Sequence, residues 1–191
     1  MYAISGYHPD VVKVLLDANA DVHVQNNQEN SKEIQESIGL PRYSFNNALK
    51  HAVSTNHIDI VKILLYYNAD VNKADDGSTA LMVAAENGNA DLVKYLLDNG
   101  ADVNAKTKTW TNEDYNALMN GSYTALMYAA KRGHTDVVKI LLASHADVNV
   151  KVHDKNSNKA VDALSLAEEG KYTDIVQLLK QMGADTMEKD R

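Results

Sequence analysis

The chain has 191 residues, of which 45% are hydrophobic and 24% charged, and its formal net charge is −7. This composition is typical of a soluble folded domain, and no run of eighteen apolar residues predicts a membrane span. Cysteine is absent, which excludes disulfides and thiolate zinc sites and fits a reducing compartment. The acidic excess argues against nonspecific nucleic-acid binding, because that contact needs clustered cations.

One segment of fourteen residues occurs five times along the chain. It begins at Asp10 with DVVKVLLDANADVH, and related copies begin at Asp59, Asp91, Asp136 and, with more changes, Asp174. In every copy the Asp of the closing Ala-Asp pair lies eleven residues after the first Asp, whereas successive copies are 32 to 49 residues apart. Fixed units with variable connections predict a stacked array, since insertions are tolerated where the backbone faces water.

The first copy begins inside a helix. Residues 1–7 take the place that residues 82–88 have in the third copy, so the opening turn is missing. Two interpretations stay open: the sequence is cut from a longer array, or a different preceding segment covers this face. Self-association through the uncapped first copy is an additional hypothesis.

The third copy shows how one unit is built. Thr79 predicts the N-cap of a short helix over residues 80–87, and Gly88 predicts the left-handed turn that ends it. A second helix has Asp91 in its first turn, where a carboxylate suits the helix dipole, and ends at Gly100. The Ala-Asp-Val-Asn sequence that follows is expected to be extended. Each helix has only about two turns, so it needs a neighbouring copy to cover its apolar side.

These segments resemble the ankyrin repeat, whose motif opens with G-x-T-P-L-H-x-A-A and closes with G-A-D-x-N. The best matches are GSTALMVAAENGNADLVKYLLDNGADVN at residues 77–104 and SYTALMYAAKRGHTDVVKILLASHADVN at residues 122–149. The resemblance implies an all-α solenoid of stacked helix-turn-helix units with β-hairpin loops at one edge. Alanine and methionine replace the proline and histidine of the motif, so the helix is expected to form with a less rigid opening turn.

We predict a single domain over residues 1–191 with five repeats, at approximately 1–43, 44–76, 77–120, 121–158 and 159–191. Three insertions lengthen the connections within residues 22–47, 105–123 and 150–161. The first two are expected to hold short helical turns, and the third is expected to be a polar loop. The last copy is more polar than the others, which predicts a C-terminal cap that tolerates water.

The resemblance implies that another protein binds to the concave side and the finger tips, near the third and fourth copies. Carried onto this chain, these positions include Asp75, Asp76, Ser78, Glu86, Asn87, Lys106, Tyr123, Lys131 and Arg132. Trp110 and Tyr115, in the second insertion, are further candidates because aromatic residues are good interface anchors. A tryptophan in a long loop also commonly pins that loop to its own domain.

No pattern in the sequence predicts catalysis or metal binding. None of the seven histidines lies in an H-E-x-x-H motif, and neither G-x-S-x-G nor a Walker loop is present. We therefore predict a non-catalytic interaction scaffold with no cofactor and no metal, binding neither nucleic acid nor membrane. The cytoplasm is its expected location, and a secreted effector is the other option. Two alternatives are a regulatory or targeting segment of a larger, even enzymatic or host-directed, protein, and an enzyme whose site lies beside Trp110 or Tyr115.

Overall fold

The computed structural model describes residues 2–20, 48–74, 77–106, 123–153 and 160–183. Within these ranges the chain forms five helix pairs, numbered here as repeats 1 to 5. The pairs are α1 Tyr2–Ser5 with α2 Pro9–Asp17, α3 Ala48–Ser54 with α4 Ile58–Tyr66, α5 Ala80–Glu86 with α6 Ala90–Asp98, α7 Ala125–Arg132 with α8 Thr135–Ala143, and α9 Ala163–Glu169 with α10 Thr173–Gln181.

The helix pairs stack side by side. Each first helix contacts the first helix of the next repeat, from α1 through to α9, and α2 contacts α4, α6 contacts α8 and α8 contacts α10. Small side chains allow the close approach of the first helices, since Ala84, Ala85, Ala129 and Ala130 are fully buried. The all-α repeat solenoid predicted from the sequence is confirmed.

The second helices supply the large aliphatic side chains of the core. In repeats 2 to 5 two such residues lie four positions apart on the same side of the helix. These residues are Ile60 and Leu64, Leu92 and Leu96, Val137 and Leu141, and Ile175 and Leu179. All eight are at most 2% exposed and belong to one cluster of buried residues that runs through the stack.

Both helices of every pair end in a left-handed turn. The residues in this conformation after the first helices are Tyr7, Asn56, Gly88, Gly133 and Lys171, with φ from 52° to 78°. Those after the second helices are Asn19, Asn68, Gly100, His145 and Gly183, with φ from 61° to 86°. The predicted roles of Gly88 and Gly100 are confirmed, and the same turn forms with other residues because the stack imposes it on each copy.

Reciprocal side-chain caps begin the first helices of repeats 3 and 5. The Thr79 hydroxyl accepts from the Met82 N–H at 3.3 Å, and the Thr79 N–H donates to the Met82 sulfur at 3.4 Å. Sulfur thus provides an acceptor where the family motif has histidine, which limits the expected loss of rigidity. Asp162 and Ser165 make the same exchange at 2.7 and 3.0 Å.

Two local expectations need correction. The Ala-Asp-Val-Asn segment turns instead of extending, because Asp102 Oδ1 accepts from the Asn104 N–H at 2.9 Å. The third insertion is not only a polar loop: β1 Val152–His153 and β2 Ala160–Val161 lie within it and pair antiparallel, with Val152 opposite Val161. The helical turns predicted in the first two insertions lie outside the described residues.

Helix length bears on the membrane prediction. The longest helices in the described ranges have nine residues, and none of those helices is long and apolar enough to cross a bilayer.

A pair of leucines at equivalent positions tests the stacking model. Leu96 is fully buried in repeat 3, whereas Leu15 in repeat 1 is 49% exposed. We expect Leu96→Ala to lower the free energy of unfolding by about 2–5 kcal/mol. Leu15→Ala should cost about 1 kcal/mol or less, since little buried area and no cavity are involved. Urea unfolding followed by circular dichroism measures both, and equal losses would contradict the model.

Substitutions at two glycines with the same backbone conformation distinguish backbone strain from steric crowding. Both Gly100 and Gly133 have positive φ, but a Cβ on Gly133 would lie 2.3 Å from Tyr172 Cε1, whereas a Cβ on Gly100 meets nothing within 4 Å. Gly100→Ala should therefore show the left-handed strain alone, about 1–2 kcal/mol. Gly133→Ala should cost about 1–3 kcal/mol more, because the Tyr172 ring must move. The same shift in melting temperature for both variants would show that the ring moves without cost.

Candidate partner-binding edge

The C-terminal ends of the first helices lie along one edge of the stack, because these helices pack side by side. We call this the turn edge and define it by Ser54, Thr55, Glu86, Asn87, Lys131, Arg132, Glu168 and Glu169. Its chemistry changes from one repeat to the next, from hydroxyls in repeat 2 to an acid and an amide, then two cations, then two acids. All eight side chains are exposed or half-buried.

An ion pair joins repeats 3 and 4 at the turn edge. Arg132 Nη2 lies 2.6 Å from Glu86 Oε1, with the two side chains 56% and 36% exposed. The hydrogen bond to Glu86, followed by its charge, raises the pKa of Arg132 above the ordinary value. Exposed pairs of this kind add little stability. The main effect of this pair is to hold two candidate residues of neighbouring repeats in contact.

A cation and two aromatic rings meet in repeat 4. The Lys131 ammonium lies 5.6 Å from the centroid of the Tyr123 ring, within the range of a cation–π contact. The Tyr123 ring in turn meets Tyr128 edge-on, with centroids 5.5 Å apart. The half-buried Tyr123 and Lys131 thus form one surface next to Arg132.

The structure separates the other sequence-predicted residues. Asn87 is exposed beside Glu86 on the turn edge. Ser78 precedes α5, at the opposite end of that helix, and its hydroxyl accepts from Lys50 Nζ at 3.4 Å. Lys106 is exposed in the connection that leads to repeat 4. Asp75, Asp76, Trp110 and Tyr115 lie outside the described residues.

His134 contacts the turn edge of repeat 3. The sequence did not reveal this contact between repeats. Its Nε2–H donates to the Glu86 carbonyl oxygen at 2.9 Å, and its ring lies over Gly88, where a Cβ would be 2.5 Å from Nδ1. The position before each second helix repeats this arrangement. His57 lies 4.6 Å from the Tyr7 ring, Asn89 donates to Asn56, and Tyr172 lies over Gly133. The sequence did carry one signal for these contacts, the polar or aromatic residue before each second helix. In repeats 1 to 5 these residues are His8, His57, Asn89, His134 and Tyr172.

Asparagine side chains also join the repeats, in the connections that follow the second helices. Asn72 donates to the Gly100 carbonyl at 3.0 Å and accepts from the Asp102 N–H at 2.8 Å. Asn104 bridges in the same way to His145 and Asp147 at 3.4 and 2.8 Å. The repeated aspartates and asparagines are therefore explained by stacking and turn formation.

Two polar residues occupy core positions of α3. Lys50 stands where repeats 3 and 4 have Met82 and Met127, and its side chain is buried. His51 stands where Leu166 lies in repeat 5 and is only 5% exposed. Burial, with a smaller effect from His57, lowers the pKa of His51 below its ordinary value.

The depressed pKa of His51 predicts a loss of stability in acid. The unfolded chain takes up the proton near pH 6.5, before the folded chain does. The contribution is therefore complete above pH 6.5 and is lost as the pH falls towards the folded pKa. We expect His51→Leu, which matches repeat 5, to lose less stability between pH 7.5 and 5 than the wild type in urea unfolding. Identical profiles for the wild type and His51→Leu would refute the prediction.

The described residues were also compared with the requirements of a metal site. Across the five described ranges, no group of three or more His, Asp or Glu side chains is arranged to hold a metal ion.

Comparison with known proteins agrees with this architecture. The sequence model of the family described as Ankyrin repeats (3 copies) matches residues 1–107 and 109–190. None of the curated proteins compared with the chain gives a significant match. Ankyrin repeats are generally protein–protein interaction modules, and the family is typically non-catalytic. The match extends over nearly the whole sequence, and the chain belongs to the ankyrin-repeat family.

Proposed function

We propose that this chain is a non-catalytic scaffold that binds another protein through the concave face and fingers around repeats 3 and 4. The observation that supports this proposal is the connected set of Glu86, Arg132 and Lys131 on the turn edge, with Lys131 reaching the Tyr123 ring at the other end of α7. The ion pair of Glu86 and Arg132 joins repeats 3 and 4, and the contact of Lys131 with Tyr123 lies within repeat 4.

The turn edge is suited to binding because its backbone is fixed before the partner arrives. Glu86 and Arg132 lie at the ends of helices whose inner sides are packed against neighbours, and His134 holds the Glu86 carbonyl. Little ordering entropy is then lost on association. The affinity can come from a few side chains on a surface that needs no rearrangement.

The charges indicate what the partner offers at this position. Arg132 donates to Glu86 through one nitrogen, and a guanidinium has five N–H donors in total. Lys131 lies next to it, so a partner carboxylate can contact both cations while its apolar atoms pack on Tyr123. Such rim charges mainly set the association rate and exclude wrong partners.

The proposed binding surface also includes the fingers, which are the connections between repeats. Lys106, Ser78, Asp75 and Asp76 belong to the connections between repeats, and Trp110 and Tyr115 would add aromatic anchors if the second insertion takes part. The alternative function, a regulatory or targeting segment of a larger enzymatic or host-directed protein, uses the same binding surface. In that alternative, binding of the partner would regulate or direct the other domains of the larger protein.

Paired charge reversals test the turn edge. The variant Lys131→Glu/Arg132→Glu changes the binding surface, whereas Lys94→Glu/Lys139→Glu makes the same charge change on exposed lysines of α6 and α8. In affinity capture from cell lysate with quantitative mass spectrometry, we expect a specific partner to be retained by wild type and by the α6/α8 variant. The turn-edge variant should retain it at least about tenfold less, in keeping with interface hot spots.

Thermal unfolding of the three proteins is the control for folding. Equal loss of the partner from both variants would indicate only a general charge effect, and undiminished capture by the turn-edge variant would refute the proposal. A chain lacking residues 108–120 tests the second insertion, and capture equal to the wild type would remove Trp110 and Tyr115 from the binding surface.

A further inference from the structure

The turn edge has a regular row of positions whose charge changes from one repeat to the next. Glu86, Lys131 and Glu169 each lie three residues before the residue that precedes the second helix of their repeat, so they occupy equivalent places in α5, α7 and α9. Ser54 has the same place in α3. From repeat 2 to repeat 5 the row is therefore neutral, negative, positive and negative.

The packing of the first helices sets the distance between successive positions of this row. Ala129 and Ala130 of α7 and Ala167 of α9 are fully buried, and the two helices are in contact. Packed helices have axes about 8–10 Å apart, depending on the side chains at the contact. Equivalent residues of neighbouring repeats are thus separated by about 9 Å along the turn edge.

This separation selects among the conformations of a partner segment that lies along the row. A polyproline II helix has three residues per turn and rises about 3.1 Å per residue, so every third side chain points the same way at steps of about 9.3 Å. A β-strand presents side chains on one face at steps of about 6.6 Å, and two such steps span about 13 Å. An α-helix matches less closely, with residues seven apart at about 10.5 Å. The polyproline II spacing fits best.

The step from repeat 4 to repeat 5 indicates which charges the partner needs. Lys131 and Arg132 place two cations next to each other in repeat 4. In repeat 5 the exposed Glu169 provides a carboxylate, whereas the neighbouring Glu168 forms an ion pair with Lys180 at 3.0 Å. A partner with an acidic residue at repeat 4 and a basic residue at repeat 5 meets opposite charges at both places, and the reverse arrangement meets like charges.

We propose that the turn edge binds a partner segment in the polyproline II conformation that carries an acidic and a basic residue three positions apart. The acidic side chain lies against Lys131 and Arg132, and the basic side chain lies against Glu169. This inference rests on the proposed function and adds the chemical class of the partner. Such a segment loses little conformational entropy on binding, because its conformation is already formed in the free state.

Synthetic peptides test the spacing directly. In a proline-rich host, one glutamate and one lysine are placed three positions apart in both chain orders, and control peptides of the same composition place them two or four positions apart. An alanine-rich peptide with the same charges seven positions apart represents a helix that crosses the stack. Binding to the isotope-labelled chain is followed by NMR titration at low ionic strength, where charges are weakly screened.

We expect a proline-rich peptide with spacing three to bind about three- to fivefold more tightly than the peptides with the other spacings. This factor corresponds to the gain from about one exposed ion pair. The backbone amide signals that shift during the titration should include those of Lys131 and Glu169.

An exchange of charges tests the role of Glu169. The variant Glu169→Lys should bind the glutamate–lysine peptide about three- to fivefold more weakly, and it should prefer a peptide in which a second glutamate replaces the lysine. The control Asp98→Lys makes the same charge change at an exposed position at the end of α6, and it should keep the wild-type preference. Thermal unfolding of both variants checks that they are folded.

Three results would overturn the proposal. Equal binding by the proline-rich peptides, or no detectable binding by any of them, would show that the turn edge does not recognise the spacing. Tighter binding by the alanine-rich peptide would make the partner segment a helix. Self-association of the wild-type chain that Lys131→Glu/Arg132→Glu abolishes would make the occupant a second copy. The first two results leave the proposed function intact, since that function fails only if the turn-edge variant captures its partner undiminished.

Discussion

Burial of aliphatic side chains between neighbouring helix pairs is the interaction on which this structure depends. The helices have four to nine residues and are too short to be stable alone. Each fully buried valine, leucine or isoleucine contributes roughly 1.5–3 kcal/mol, and in repeats 2 to 5 every second helix supplies two such residues at the same positions. Stability is therefore a property of adjacent repeats and not of single helices.

Polar contacts fix the relative positions of the repeats that this burial brings together. Asn72 and Asn104 bridge successive connections, and His134 spans from one turn to the preceding one. Such exposed or half-buried hydrogen bonds add only about 0.5–1.5 kcal/mol each. Their effect is geometric, because the carbonyl that His134 holds belongs to Glu86, whose side chain pairs with Arg132. The candidate binding surface thus inherits its geometry from the stacking contacts.

The sequence predicts the local parts of this structure well. The Thr79 cap, the turns at Gly88 and Gly100 and the apolar spacing of α6 are signals carried by residues close together in the chain, and the structure confirms them. Contacts between repeats are different. His134 and Glu86 are 48 residues apart, so the sequence alone could not show that one turn faces the next.

For the candidate site too, the sequence predicted single residues but not the contacts between repeats. Glu86 and Arg132 were each predicted as exposed residues, but their pairing across 46 residues required the structure. Lys50 and His51 were not anticipated as core residues, because polar residues at a buried position break the pattern on which the prediction rests. Residues in the insertions had no repeat pattern to place them.

The turn edge proposed for binding consists of positions that stacking leaves free to vary. In repeats 2 to 5 the buried alanines Ala52, Ala84, Ala129 and Ala167 occupy equivalent places, and the carbonyl of each accepts the N–H five residues later. Two residues after these alanines lie Ser54, Glu86, Lys131 and Glu169, which share a backbone position but include a neutral, a basic and two acidic side chains. Packing requires an alanine at the first position, whereas nothing in the core depends on the second. Under the proposed function, a change of partner would need only new side chains on the turn edge, with the stack unchanged beneath them.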